Sequence, residues 1–154
     1  MIEFYCSVAS RDSGKPTQLA AAGVVIVFND GHDRIFTREF GWALGASSIS
    51  LAEIQSAKLA LCSVLPQFRG TKSVLYTTNR VTRIILEETT PEANLIIIRE
   101  LKKWFGFYKD IELAIISSAP KEYITKSEAL AEKALKEQIH SDSDTEMSEF
   151  DGRY

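Results

Sequence analysis

Three strand-like apolar runs precede any helical pattern, and this feature most restricts what the chain can fold into. Ile2 to Val8 is the first, Ala21-Ala22-Gly23-Val24-Val25-Ile26-Val27-Phe28 the second, and Arg34 to Ala43 the third. A polar loop carrying Pro16 joins the first two. Asn29-Asp30-Gly31-His32-Asp33 joins the next two and carries a turn signal between apolar runs. Strands linked this closely pair antiparallel, because a parallel return needs a crossover of a dozen or more residues. An antiparallel meander at the front excludes the strict strand–helix alternation of a doubly wound fold.

The remainder supplies helices and two more strands. Leu51 to Leu65 is apolar around most of a helical circumference, with Ser50 and Glu53 spaced as a capping box and Pro66 stopping it. Ser73-Val74-Leu75-Tyr76-Thr77 reads as a buried strand. It runs through Thr78-Asn79-Arg80 into Val81 to Leu86 at helical spacing, and that junction is where a site could sit. Thr90-Pro91 opens a further helix with Leu95, Ile98, Leu101, Phe105 and Tyr108 along one face. Ile111 to Ser117 is the fifth strand. Thr125 and Glu128 frame a capping box for a last helix through Gln138, with Leu130, Ala134 and Leu135 inward. The expected architecture is α/β: a five-stranded mixed sheet, strands one to three antiparallel and then strands four and five, flanked by helices.

One domain suffices for 154 residues with 45% hydrophobic content. The formal net charge of −3 is uneven. Asp142, Asp144, Glu146, Glu149 and Asp151 stand against Arg153 alone, so residues 140–154 carry −4 and residues 1–139 carry +1. We therefore expect a domain over 1–139 and an acidic disordered tail over 140–154, too polar to offset the entropy of ordering. A nearly neutral body neither demands nor forbids a nucleic-acid partner. Cys6 and Cys62 each lie inside an apolar run, which fits burial as reduced thiols, and His32 and His140 lack partners at metal-ligand spacing. No leader pattern or membrane-length apolar run occurs, which implies an intracellular protein, cytoplasmic or nuclear, with no membrane partner.

Over residues 2–138 the order of elements resembles type 1 ribonuclease H domains and their retroelement relatives. The resemblance rests on Ile2-Glu3-Phe4-Tyr5, Ala22-Gly23-Val24-Val25, Leu51-Ala52-Glu53-Ile54-Gln55-Ser56-Ala57, Val74-Leu75-Tyr76-Thr77, and Ser127-Glu128 through Leu135. It implies acidic side chains from separate elements holding two divalent ions about 4 Å apart. This chain departs from that pattern. Ser7 stands at the position of the family's first-strand aspartate, and Thr78 at that of the aspartate ending the fourth strand. Neither hydroxyl carries the negative charge a hard cation needs.

Glu53 matches the family's helix glutamate but is also explained as the partner of Ser50 in the capping box. The last acidic position falls on Ala131, or with a shift of one on Glu132, which could equally pair with Lys136. The vestigial positions are thus Ser7, Glu53, Thr78 and Glu132, with no metal site. The expected function is an inactive ribonuclease H-like module, a pseudoenzyme that serves as a scaffold for nucleic acid or protein. A weak Mg²⁺- or Mn²⁺-dependent ribonuclease acting on RNA–DNA hybrids is the alternative. Asn79, Arg80, Arg83, Lys102 and Lys103 are the candidate contacts to an RNA–DNA hybrid or structured nucleic acid, with Arg99, Lys109, Arg69 and Lys72 nearby and Trp104 among them. A protein partner is the other binding class.

Overall fold

The computed structural model describes the backbone of residues 1–32, 34–87 and 95–151, and side chains over the same ranges except 95 and 140–151. Three strands open the chain: β1 (Ile2–Arg11), β2 (Leu19–Asn29) and β3 (Ile35–Gly45). Then come α1 (Ile49–Cys62), β4 (Ser73–Thr77), α2 (Asn79–Leu86), α3 (Leu95–Gly106), β5 (Ile111–Ile115) and α4 (Lys121–Asp151), with short 3-10 turns at Pro66–Phe68 and Ile116–Ser118. The sheet order is β3-β2-β1-β4-β5. β1 to β3 form the antiparallel meander, while β4 runs parallel to β1 and β5 parallel to β4.

Period-2 alternation along the central strands sorts their side chains onto two faces. Phe4 and Cys6 of β1 and Val24 and Ile26 of β2 join Ile54, Ala57, Leu61, Leu75, Ile98 and Leu101 in a core under α1 and α3. Tyr5, Val25 and Val27 look the other way, toward Tyr123, Ile124 and Leu130 of α4, and Ala9 and Ala21 meet Ala131, Ala134 and Leu135. Covered on both faces, β2 is buried continuously from Ala20 to Val27, which its unbroken apolar run anticipates. Each large side chain in these layers contributes roughly 1.5–3 kcal/mol by leaving water.

Gly23 and Gly41 set the distance between α4 and the sheet. A Cβ on Gly23 would lie 2.0 Å from the Ser127 carbonyl oxygen and 2.6 Å from the Ala131 nitrogen; one on Gly41 would lie 2.9 Å from the Leu130 carbonyl oxygen. Only backbone without side chains allows the helix so close.

Three boundaries differ from the sequence reading. α1 is capped by Ser48, not Ser50: Ser48 has extended backbone and accepts from the Leu51 N–H at 3.2 Å, whereas Ser50 is already helical. α4 begins at Lys121, so Thr125 and Glu128 lie inside it; the Tyr123 N–H bonds the Pro120 carbonyl at 3.0 Å and starts the helix a turn early. The backbone of α4 continues past Gln138 and past residue 139 to Asp151, with no Gly or Pro in that stretch to interrupt its ladder. The helix start expected at Thr90-Pro91 lies outside the described residues.

Candidate functional site

Parallel pairing of β1 with β4 brings the two altered positions together. Tyr5 pairs with Tyr76, so Ser7 and Thr78, two residues further on, emerge side by side where β1 and β4 stop pairing with each other. Glu53 faces them from α1. Ser7, Glu53 and Thr78 line one small pocket together with Cys6, Ser56 and Thr77. It adjoins an open cleft of about 340 Å³ whose lining includes Ser7, Thr78, Ile116, Ser117, Ile124 and Glu128.

Hydroxyls hold the floor. Ser7 Oγ lies 2.6 Å from Ser127 Oγ, and Ser127 Oγ donates to the Ile124 carbonyl at 3.0 Å. The one hydroxyl proton of Ser127 is therefore used, which makes Ser7 the donor to Ser127. Ser56 Oγ donates to the Ser7 carbonyl at 3.3 Å, tying α1 to β1. Thr78 is the N-cap of α2: its Oγ1 accepts from the Val81 N–H at 3.3 Å and donates to Glu53 Oε2 at 3.1 Å. Arg80 Nη1 donates to the same Oε2 at 3.3 Å and to Ser50 Oγ at 2.7 Å. The Glu53 side chain is 14% exposed and the Arg80 side chain 51%.

The capping-box explanation of Glu53 is corrected by this geometry. Ser48 caps α1, Ser50 serves Arg80, and Glu53 points at the β4–α2 junction. The sequence carried the ambiguity, since Ser47, Ser48 and Ser50 all stand within a few residues of the helix start.

The last acidic position is also corrected. Ala131 is fully buried beneath Gly23 on β2, where a carboxylate would be stranded, and Glu132 is exposed and outside the cleft lining. Glu128, one turn earlier, lines the cleft with Ser7 and Thr78. Helical phase and the close approach at Gly23 decide which acid arrives there. The capping-box spacing with Thr125 hides Glu128 from a reading of the sequence, and its place beside Ser127 is the signal that could find it. Among the described residues, Lys133 pairs with Glu137 at 3.9 Å on this stretch of helix, and Glu132 and Lys136 do not pair.

Such a donor set does not fit a pair of divalent ions. It offers two neutral hydroxyls, both engaged in hydrogen bonds, Glu128, and a Glu53 oxygen already shared by a hydroxyl and a guanidinium. Two hard cations held close together need carboxylates from the protein to offset their charge, and neutral hydroxyls supply none. Among the described residues, no three or more His, Cys, Asp or Glu side chains cluster in a way that could hold a metal. Cys6 is no substitute nucleophile, because burial pushes its thiol up to about 12.

No family model and no curated protein sequence matches the chain. Solved structures do. Ribonuclease H1 from the halophilic archaeon Halobacterium salinarum NRC-1 superposes with a TM-score of 0.69 at 22% identity, covering 88% of this chain and 98% of its own. The fold is that of ribonuclease H. LC11 ribonuclease H1 in complex with an RNA/DNA hybrid shares the ribonuclease H fold at a TM-score of 0.68 and 13% identity, over 90% of this chain and 99% of that one. A foamy viral protease–reverse transcriptase, also in complex with an RNA/DNA hybrid, gives 0.71 at 15% identity, over 86% of this chain and 20% of that one.

On this ribonuclease H frame the expected nucleic-acid contacts separate into two groups. Asn79, Arg83 and Lys103 are exposed, as are Arg99 and Lys109. Arg80 is folded back onto Glu53, and the Lys102 ammonium bonds the Glu87 carbonyl just past α2. Trp104 is covered as well: the Arg69 guanidinium sits 4.8 Å above its ring and 5.6 Å above that of Phe107. Among the described residues, no helix is long and apolar enough to cross a membrane.

Proposed function

We propose that this chain is a non-hydrolysing ribonuclease H-fold module that binds nucleic acid, with RNA–DNA hybrid duplex as its ligand class. One observation carries the loss of hydrolysis: the cleft presents hydroxyls at Ser7 and Thr78 where two-ion hydrolysis needs carboxylates, and both are occupied by internal hydrogen bonds. Two observations support binding. Solved structures of the same fold hold RNA/DNA hybrids, and Asn79, Arg83, Arg99, Lys103 and Lys109 leave polar and basic groups exposed on α2, on α3 and just beyond α3. Phosphate contacts of this kind survive the loss of catalysis, because they need donors and positive charge rather than metal ligands.

Binding of labelled RNA–DNA hybrid, followed by fluorescence anisotropy at increasing salt and beside a cleavage assay in Mg²⁺ or Mn²⁺, tests this function. The expected result is binding that falls steeply with salt, weakens with Arg83→Ala plus Lys103→Ala, and is accompanied by no cleavage. Turnover that disappears in Glu53→Gln would overturn it in favour of a metal-dependent ribonuclease. Absence of binding at low salt would leave a protein scaffold as the reading.

A further inference from the structure

The contacts around Glu53 raise a separate question: what neutralises a largely buried carboxylate at a site whose metal ligands are missing? A carboxylate removed from water needs a cation or several donors. Glu53 Oε2 has Thr78 Oγ1 at 3.1 Å and Arg80 Nη1 at 3.3 Å, and the same Arg80 nitrogen is anchored by Ser50 Oγ at 2.7 Å. All of these groups lie near the N-terminal ends of two helices. Ser50 and Glu53 lie on α1, and Thr78 and Arg80 are the cap and second residue of α2. The guanidinium therefore reaches across from the β4–α2 junction to the carboxylate that the ribonuclease H pattern would direct at metal.

We propose that Arg80 is a built-in cation for this cleft: it neutralises Glu53 in place of a divalent ion, pins the start of α2 to α1, and opposes metal loading. The inference deepens the non-hydrolysing reading and rests on it for its biological meaning. Its physical content is independent, since a fixed positive charge sharing a carboxylate oxygen repels any second cation seeking that oxygen. It also accounts for a departure from the expected binding surface, because an arginine committed to Glu53 contributes little to phosphate contacts.

The test restores acids to the cleft and asks whether Arg80 resists metal. Mn²⁺ alone is titrated, with free Mn²⁺ read by electron paramagnetic resonance, into the full chain bearing Ser7→Asp plus Thr78→Asp, with and without Arg80→Gln. Adding Arg80→Gln is expected to tighten Mn²⁺ binding about tenfold, because a half-exposed guanidinium is partly screened by solvent. Equal affinities within about twofold would overturn the proposal and reduce the contact to an ordinary ion pair.

A second measurement covers the case in which the restored chains fold poorly or bind no Mn²⁺. In the otherwise natural chain, Arg80→Gln is expected to lower Tm by about 2 °C, and to have no effect once Glu53→Gln is present. Equal shifts in both backgrounds would overturn the pairing. Hybrid cleavage by the natural chain would defeat the proposed function, yet leave both comparisons to decide the part played by Arg80.

Discussion

Gly23 does two things. It pairs with Ser7 across β1 and β2, and it lies directly beneath the Ser127 carbonyl of α4, so one missing side chain lets the helix descend until Ser127 meets Ser7. A methyl group there would meet backbone atoms, which cannot rotate away. Gly23→Ala is therefore expected to destabilise by about 1–3 kcal/mol or more through overpacking, seen as a lower urea midpoint. Ser7→Ala makes a useful contrast. It removes one partner of a hydroxyl chain at the edge of an open cleft and should cost only about 1 kcal/mol in the same measurement.

Elements meet at the site through their ends. Thr78 terminates β4 and caps α2, so a single hydroxyl accepts the Val81 N–H and donates to Glu53 on α1. Thr78→Ala is expected to cost roughly 0.5–2 kcal/mol, the usual range for a lost cap, and Thr78→Ser to recover most of it, because serine keeps the same hydroxyl. Chemical denaturation of the two variants checks this. If Ser and Ala behave alike, the cap bond is not what stabilises the junction. At the other end of the chain, Pro120 starts α4 five residues before the spaced Thr125 and Glu128 suggest. Glu128 is thereby released from capping and can line the cleft.

At the scale of the whole molecule, burial on both faces of the sheet couples folding to alkaline pH. Burial pushes the Cys6 thiol up to about 12 and the Tyr108 phenol up to about 12, and raises Tyr5 further, with Glu3 accepting its hydroxyl. Unfolded, these groups release protons near their ordinary values of about 9 and 10. Above those values the unfolded chain binds fewer protons than the folded one, so stability falls as pH rises. The contribution is complete below about pH 9 and is lost on the way to 12. Urea midpoints measured from pH 8 to 11 should decline, and the decline should be shallower in Cys6→Ala. A thiol reagent at pH 8 should label half-buried Cys62 well before buried Cys6.

Local chemistry was enough to determine the order of elements, the antiparallel front of the sheet, and its five-stranded mixed make-up. Those features depend on period, turn residues and residue identity, all of which are written along the chain. Only the tertiary structure decided that Ser48 rather than Ser50 caps α1, that Glu53 turns to Thr78 and Arg80, and that Glu128 rather than Glu132 reaches the cleft. Each of these depends on where one helix stands in rotation and height against another element. Ser7 and Ser127 are separated by 120 residues, and their contact follows from how closely α4 can approach a bare glycine backbone. Spacing along one segment carries no record of such a distance between two.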